Sequence, residues 1–362
     1  MNFWKTFVAS LAALLVGSFV IFIFSLIFGF SVLSLFSTPT TVVAERSVLC
    51  INLNESIVDS PSVSPISNFN AQSMSIDSSL TTLQMLSAIE HAAFDENIKG
   101  IYLYLNGTGS VETAVLEELR SAIEKFKLSG KFVVAYDDSY TQGEYYLASV
   151  ADRVSLHPEG TLDWSGLRLS TMFYKGLLDK LNIEVDVMRP SDCKYKSAGE
   201  PFFLRQMSDA NRQQMQALAD SMWQTLVNDV AKSRGIEVAK VMVIAANIDI
   251  YDSKTAKEHN FIDAIEYEDE MNNYLEELGV KRNRRGELNT VTLGDYCVAN
   301  AMFNPELNVN ASKNRVGIIY ADGQIVDGTA TGDGYIFGNT LAQQIREARL
   351  DNDIKSVVLR VN

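Results

Sequence analysis

Two stretches of this chain share one pattern, and that pattern limits what the chain can fold into. Residues 95–106 run Asp-Glu-Asn-Ile-Lys-Gly-Ile-Tyr-Leu-Tyr-Leu-Asn, and residues 351–362 run Asp-Asn-Asp-Ile-Lys-Ser-Val-Val-Leu-Arg-Val-Asn. Each is a polar turn followed by a short apolar run ending in Asn, the pattern of a strand that delivers its last residue to a loop. The match extends backwards: Met85, Ile89, Ala92 and Phe94 stand at the same offsets as Leu341, Ile345, Ala348 and Leu350. Further upstream, Val48 and Ile57-Val58-Asp59 pair with Val316 and Ile325-Val326-Asp327 at a longer offset. Copies about 260 residues apart indicate duplicated domains, since a solenoid repeats every ~20–50 residues. The second copy holds a strand, a helix and a strand, so the sequence reads as the front part of a longer protein.

Between these landmarks, apolar runs of strand length alternate with segments of helical period. Strands are predicted over 47–53, 98–105, 131–136, 153–156 and 183–188. Helices are predicted over 80–94, 111–128 (closed by Gly130), 143–150 and 174–181. Ser208 caps a long helix carrying Met215, Leu218, Met222 and Leu226 on one face, with Gly235 past its end. A further helix follows over 238–246, and 253–263 reads as a helix leading into a strand. Residues 54–79, rich in Ser and Asn, read as an extended loop, and 282–314 as an inter-domain connection. Strands separated by helices imply βαβ units and a parallel sheet, and the continuous apolarity of the strands fits a sheet covered on both faces. The fold class is therefore α/β.

No residue between Lys5 and Glu45 is charged, and 7–36 is dominated by Leu, Val, Ile, Phe and Ala. A bilayer span takes ~20 apolar residues and a signal-peptide core ~7–15. The run is read as one uncleaved membrane anchor, with everything after about residue 44 outside the cytoplasm. Cleavage after Val42-Val43-Ala44 is the competing reading. The net charge of −14 argues against a nucleic-acid partner, since phosphate binding needs a basic stripe. Cys50, Cys193 and Cys297 are scattered and odd in number, so they fit neither a metal cluster nor a disulfide framework and read as small apolar residues.

The local signatures of the common catalytic sets are absent, and a Ser–His–Asp triad drawn from distant positions stays open at this point. His91, His157 and His259 have no metal-ligand spacing, and there is no Gly-x-Ser-x-Gly elbow. The turn Asn106-Gly107-Thr108-Gly109-Ser110 lacks the lysine of a phosphate loop and reads as a tight strand-to-helix turn.

Two stretches carry a resemblance. Gly143-Glu144-Tyr145-Tyr146-Leu147-Ala148-Ser149-Val150-Ala151-Asp152-Arg153-Val154, followed by His157-Pro158-Glu159-Gly160-Thr161-Leu162, resembles the helix–strand–turn of proteases in the crotonase/ClpP superfamily. Tyr195-Lys196-Ser197-Ala198-Gly199-Glu200-Pro201-Phe202 is similar to the lysine motif of the signal peptide peptidase A family, whose long form places two copies of the domain behind one membrane anchor. The resemblance implies a crotonase/ClpP-like fold with an anchor at 1–44, a first domain at 45–305 and the start of a second copy at 306–362. It implies a Ser/Lys protease in which Lys196 is the general base. The serine and a Ser-Pro-Gly-Gly oxyanion segment are expected past the strand that ends at Asn362, so the 362-residue chain alone is expected to be inactive. Copy one does not replace them, because Gly107-Thr108-Gly109-Ser110 departs from Ser-Pro-Gly-Gly and Ser110 is not read as nucleophilic. A serine hydroxyl needs a base to take its proton, and lysine serves only when neutral. Apolar burial favours that state, and so do nearby cations. Tyr195, Ala198, Pro201, Phe202 and Phe203 are expected to supply the first and Lys194 the second, with Glu200 opposing if it points inward.

The expected partners are signal peptides and other unfolded peptides, the inner membrane through a single pass, and further copies of the chain, with no cofactor, metal or nucleic acid. The alternatives are a membrane-anchored scaffold or pseudoprotease, and a crotonase-type acyl-CoA enzyme. The outward-facing domain counts against the last.

Overall fold

The computed structural model describes residues 43–53, 57–60, 80–105, 111–190, 193–299, 314–332 and 334–362, scattered positions between 4 and 25, and the backbone of 69–70 and 75–76. In chain order the elements begin with β1 (Ser47–Ile51), β2 (Ile57–Val58), β3 (Phe69–Asn70), β4 (Ser75–Ile76), β5 (Leu80–Thr81), α1 (Thr82–Ala92), β6 (Ile98–Leu103) and α2 (Thr113–Lys127). Next come β7 (Phe132–Asp137), α3 (Gln142–Ala148), β8 (Arg153–Leu156), α4 (Lys175–Lys180), α5 (Glu200–Phe203), α6 (Asp209–Arg234), α7 (Val238–Asn247) and α8 (Ser253–Glu258). After them follow β9 (Ala264–Ile265), α9 (Glu268–Glu277), β10 (Thr290–Thr292), α10 (Leu293–Ala299), β11 (Arg315–Ala321), β12 (Gln324–Val326), β13 (Tyr335–Phe337), α11 (Gly338–Leu350) and β14 (Ile354–Val361).

The chain divides into two bodies, one of residues 45–54 and 89–291, the other of 1–44, 55–88 and 292–362. The first is built on a six-stranded sheet in the order β10-β1-β6-β7-β8-β9, with the β1/β6, β6/β7, β7/β8 and β8/β9 pairs parallel. Consecutive residues of β6 and β7 are buried, Ile101-Tyr102-Leu103 and Val133-Val134-Ala135-Tyr136, so both faces of the sheet need cover. On one face α9 sets Met271 and Leu275 against Val48, Tyr102, Val134 and Tyr136. Helix α2 turns Leu116, Leu119, Ile123 and Phe126 inward at helical spacing. Its Arg120 is also buried, and the charge is tolerated because both terminal nitrogens of the guanidinium are hydrogen-bonded, while Nε, without a hydrogen bond, lies 3.7 Å from the Glu124 carboxylate. The guanidinium donates to Tyr146 O, Ser149 Oγ (2.9 Å), Asp229 O (3.1 Å) and Ser233 Oγ (2.5 Å), and lies over the Tyr146 ring. One side chain thus ties α2, α3 and α6 together. This mixed α/β architecture with a parallel sheet fits the crotonase/ClpP-like class.

In the second body β11 and β14 pair in parallel, as do β12 and β13, and β2 and β5. Apart from the antiparallel β3/β4 pair, which stands only in the earlier stretch, the order of elements over 315–361 is that of 47–103: a long strand, a short parallel pair, a helix, and a strand returning parallel to the first. Even the irregularity matches, a register shift at Ser47/Val48 against β6 and another at Arg315/Val316 against β14. A cleft of about 510 Å³ lies in this body, with Gly317, Ile319, Tyr335, Phe337, Thr340 and Ala348 among its lining.

Two expectations need correction, and one helix was not anticipated. Residues 183–188 form no strand; they are extended and exposed, Ile183 by 47% and Met188 by 97%. Their apolar alternation is real, but β8 pairs directly with β9, so the sheet has no place for them. The stretch 282–314 is more than a connection, since it contributes edge strand β10 and helix α10. Only Val291 of β10 is buried, too little apolarity to read as a strand. Helix α9 went unread because Met271 and Leu275 are its only buried residues in an acidic run. The apolar run at 7–36 falls largely outside the described residues, among which no helix is long and apolar enough to cross a membrane.

Candidate active site

The first motif is packing made visible. Thr141 and Glu144 form a reciprocal capping box that starts α3, with Thr141 N–H donating to Glu144 Oε2 at 2.7 Å. Tyr145 stacks on Phe261 at 5.1 Å and donates its hydroxyl to Phe261 O, while Tyr146 donates to Asp229 Oδ2 at 2.7 Å. The turn after β8 doubles back beside residues 138–140. Tyr140 N–H donates to Thr161 O and Asp163 N–H to Tyr140 O, each at 2.9 Å. A Cβ at Gly160 would lie 2.3 Å from Asp138 O, so only glycine fits there.

The lysine motif follows an excursion made of 163–174, α4 and 183–190. Cys193 is buried and donates Sγ–H to Pro190 O, and Lys196 N–H donates to Cys193 O at 2.9 Å, closing the turn that carries Lys196. Tyr174 N–H donates to Pro201 O at 2.8 Å, and its ring stacks on Phe202. Gly199 lies against Val187, and Arg189 lies over the Phe203 ring. Glu200 anchors the whole piece. Its buried carboxylate accepts from Ser208 Oγ (2.6 Å), Ser208 N–H (3.2 Å) and Asn211 Nδ2 (2.9 Å), at the first turn of α6. Burial pushes that carboxyl up, but the hydrogen bonds from Ser208 and Asn211 outweigh it and hold it below the usual range.

Glu200 therefore points inward but spends its charge on the helix terminus. The expected apolar cover over Lys196 is not formed: Lys196 is exposed, and its neighbours Tyr195 and Phe202 are 49% and 44% exposed. A four-residue helix cannot fold back over a turn it immediately follows. The neighbouring cation Lys194 lies over the Tyr195 ring at 5.1 Å. The turn Asn106-Gly107-Thr108-Gly109-Ser110 lies outside the described residues.

The histidines serve the fold. His91 is in the last turn of α1, His157 Nδ1 accepts from Glu159 N–H, and His259 ends α8. None of the three cysteines forms a disulfide, only Cys193 among them is fully buried, and no metal-binding cluster occurs among the described residues. Sequence reasoning missed Asp137, buried at the end of β7. Burial raises its carboxyl to about 7, with nearby Glu144 adding to the rise against backbone hydrogen bonds that lower it. A strand-terminal Asp reads as an ordinary loop residue, so no local signal marks it.

Comparison with known proteins places this arrangement. Residues 125–281, from the end of α2 past α9 and including the Lys196 turn, match the profile of Peptidase family S49. The chain is 31% identical over 330 residues to Protease 4 of Salmonella typhi, covering 88% of this chain and 52% of that protein. It is 30% identical over 336 residues to "Serine protease SPPA, chloroplastic" of Arabidopsis thaliana, covering 91% and 46% respectively. A putative signal peptide peptidase SppA of Enterococcus faecium matches at 26% over 190 residues, 51% of this chain and 52% of that protein. The chain thus spans about half the length of the curated relatives it matches. On its own fold, its lysine turn and these relatives, the chain belongs to peptidase family S49, with the signal peptide peptidase A proteins.

Proposed function

We propose that this chain is the front part of a membrane-anchored serine endopeptidase that uses a Ser/Lys dyad to degrade cleaved signal peptides and other unfolded peptides. In this reading 1–44 is a single-pass anchor in the inner membrane, 45–305 is the first domain on the non-cytoplasmic side, and 306–362 opens a second copy. The matched strand order and register shifts of 47–103 and 315–361 support the duplication. The protein works as a homo-oligomer.

The observation that carries the reading is the build of the Lys196 turn. A hydrogen-bonded support of Cys193, Tyr174, Pro201, Glu200 and Ser208 fixes its backbone, while the side chain projects outward. An exposed amine on a fixed base suits a partner group that arrives from another segment. The serine on that segment gives its hydroxyl proton to Lys196 Nζ as Oγ attacks the peptide carbonyl carbon. Nζ then returns the proton to the leaving amine, and water repeats the cycle to release the acyl group. The segment that brings the serine also supplies the apolar cover.

The test is peptide hydrolysis by the full-length, membrane-inserted protein. Lys196→Ala lowers kcat by a factor of ~10²–10⁴ or more with unchanged assembly, while Lys194→Ala keeps most activity. Wild-type turnover in Lys196→Ala, or loss confined to Lys194→Ala, overturns the assignment. An unchanged Lys196→Ala with intact partner capture favours the scaffold reading.

A further inference from the structure

We propose that Asp59 and Arg360 are positioning residues that hold the outgoing end of β14, and with it the loop expected to bind the oxyanion; this rests on the Ser/Lys reading above. Arg360 Nε donates to Asp59 Oδ2 at 2.6 Å, and Thr82 Oγ1 donates to Asp59 Oδ1 at 3.1 Å. The Asp59 side chain is buried, 8% exposed, so its charge is held by these partners rather than by water. One residue on, Ser60 Oγ donates to Asp322 Oδ2 at 3.1 Å, and Asn362 Nδ2 donates to Asp322 Oδ1 at 3.3 Å. The Asn362 backbone is gripped as well, its N–H donating to Ala321 O and its O accepting from Gly323 N–H.

Strand side chains alternate, so Arg360 and Asn362 share one face, and both carboxylate clamps act on that face. The clamps add to the parallel ladder between β14 and β11, which runs from Ile354 to Val361, at its outgoing end.

The repeat shows that this device is not generic. The position in copy one that matches Arg360 is Tyr104, which stacks between Tyr102 and Tyr136. The position in copy two that matches Asp59 is Asp327, whose carboxylate accepts from the next residue, Gly328 N–H, at 3.0 Å. The clamp joins the aspartate of one copy to the arginine of the other. It occurs on the copy that the Ser/Lys reading assigns the oxyanion loop. Oxyanion donors act only when pre-positioned, and a misplacement of ~1 Å from a remote change costs up to ~10²-fold in rate.

The test uses the full-length protein with a fluorogenic peptide, a serine-directed phosphonate probe and a thermal melt on each variant. Asp59→Asn and Arg360→Met are expected to lower kcat about ten- to a hundredfold with KM within about twofold, and to slow phosphonate labelling in parallel. Arg360→Lys, which keeps the charge, is expected to recover part of the loss. The inference is overturned if kcat per folded molecule stays within about twofold of wild type, or if Arg360→Lys and Arg360→Met are equally impaired. Lys196→Ala in the same assay separates the two claims. An inactive Lys196→Ala beside an active Asp59→Asn sinks the clamp alone, whereas an active Lys196→Ala sinks the dyad.

Discussion

Asp137 has about 1% of its surface exposed, and its Oδ2 has no partner among the described residues. With its carboxyl raised from 3.8 to about 7 by burial, the folded state holds a proton that the unfolded state has released. Stability therefore falls as pH rises from about 4 to about 7 and is level above that window, a change of a few kcal/mol at ~1.4 kcal/mol per unit. Asp137→Asn removes this slope, which urea unfolding at about pH 5 and about pH 8 measures; a variant that keeps the wild-type slope shows that another group is responsible. At this scale the sequence is uneven to read. Gly160 and Tyr145 were visible within a motif, and packing now explains them. Lys196 was visible only by resemblance, since an isolated lysine in a polar turn carries no sign of its neighbours. Its exposure was not foreseeable either, because cover is a property of whatever packs on the turn.

Helix α6 holds the lysine turn at its first turn and packs on α3 and α7. Ser208 both accepts from Asn211 N–H at 3.2 Å as the N-cap and donates to Glu200 at 2.6 Å. Ser208→Ala costs about 1–2 kcal/mol from the cap alone, and it also strips a donor from a buried carboxylate. Aspartate is as good an N-cap as serine, yet Ser208→Asp is expected to be at least as damaging, because it sets a second carboxylate against Glu200. Chemical denaturation ranks the three proteins, and a wild-type-like Ser208→Asp would show that the bond to Glu200 is unimportant. The ends of α6 were legible because capping by Ser208 and termination at Gly235, which adopts φ +63, are local chemistry. The strand expected over 183–188 failed for the opposite reason: alternation is local, but having a neighbour to pair with is not. Helix α9 escaped notice because two buried side chains are enough to dock a helix and too few to set a period.

The repeat was the strongest message at the scale of the whole chain. What the repeat did not reveal is how the chain is shared out, with residues 45–54 in the body of 89–291 and residues 55–88 in the body of 292–362. A fragment spanning only 89–291 lacks β1 and bares the edge of β6, so it is expected to aggregate, and the same fragment with 45–54 tethered in front to be soluble. Gel filtration of the two decides this, and a monomeric short fragment would show that β1 is dispensable. The interleaving also has a consequence in time. A ribosome releases residues 55–88 about 200 residues before their partners from 292 onward, a delay of roughly 10–40 s at ~5–20 residues per second. For that interval Leu80, Thr81 and Met85, buried in the finished molecule, have no body of their own to enter. Nascent chains halted shortly before residue 292 should therefore be the ones that holdase chaperones grip.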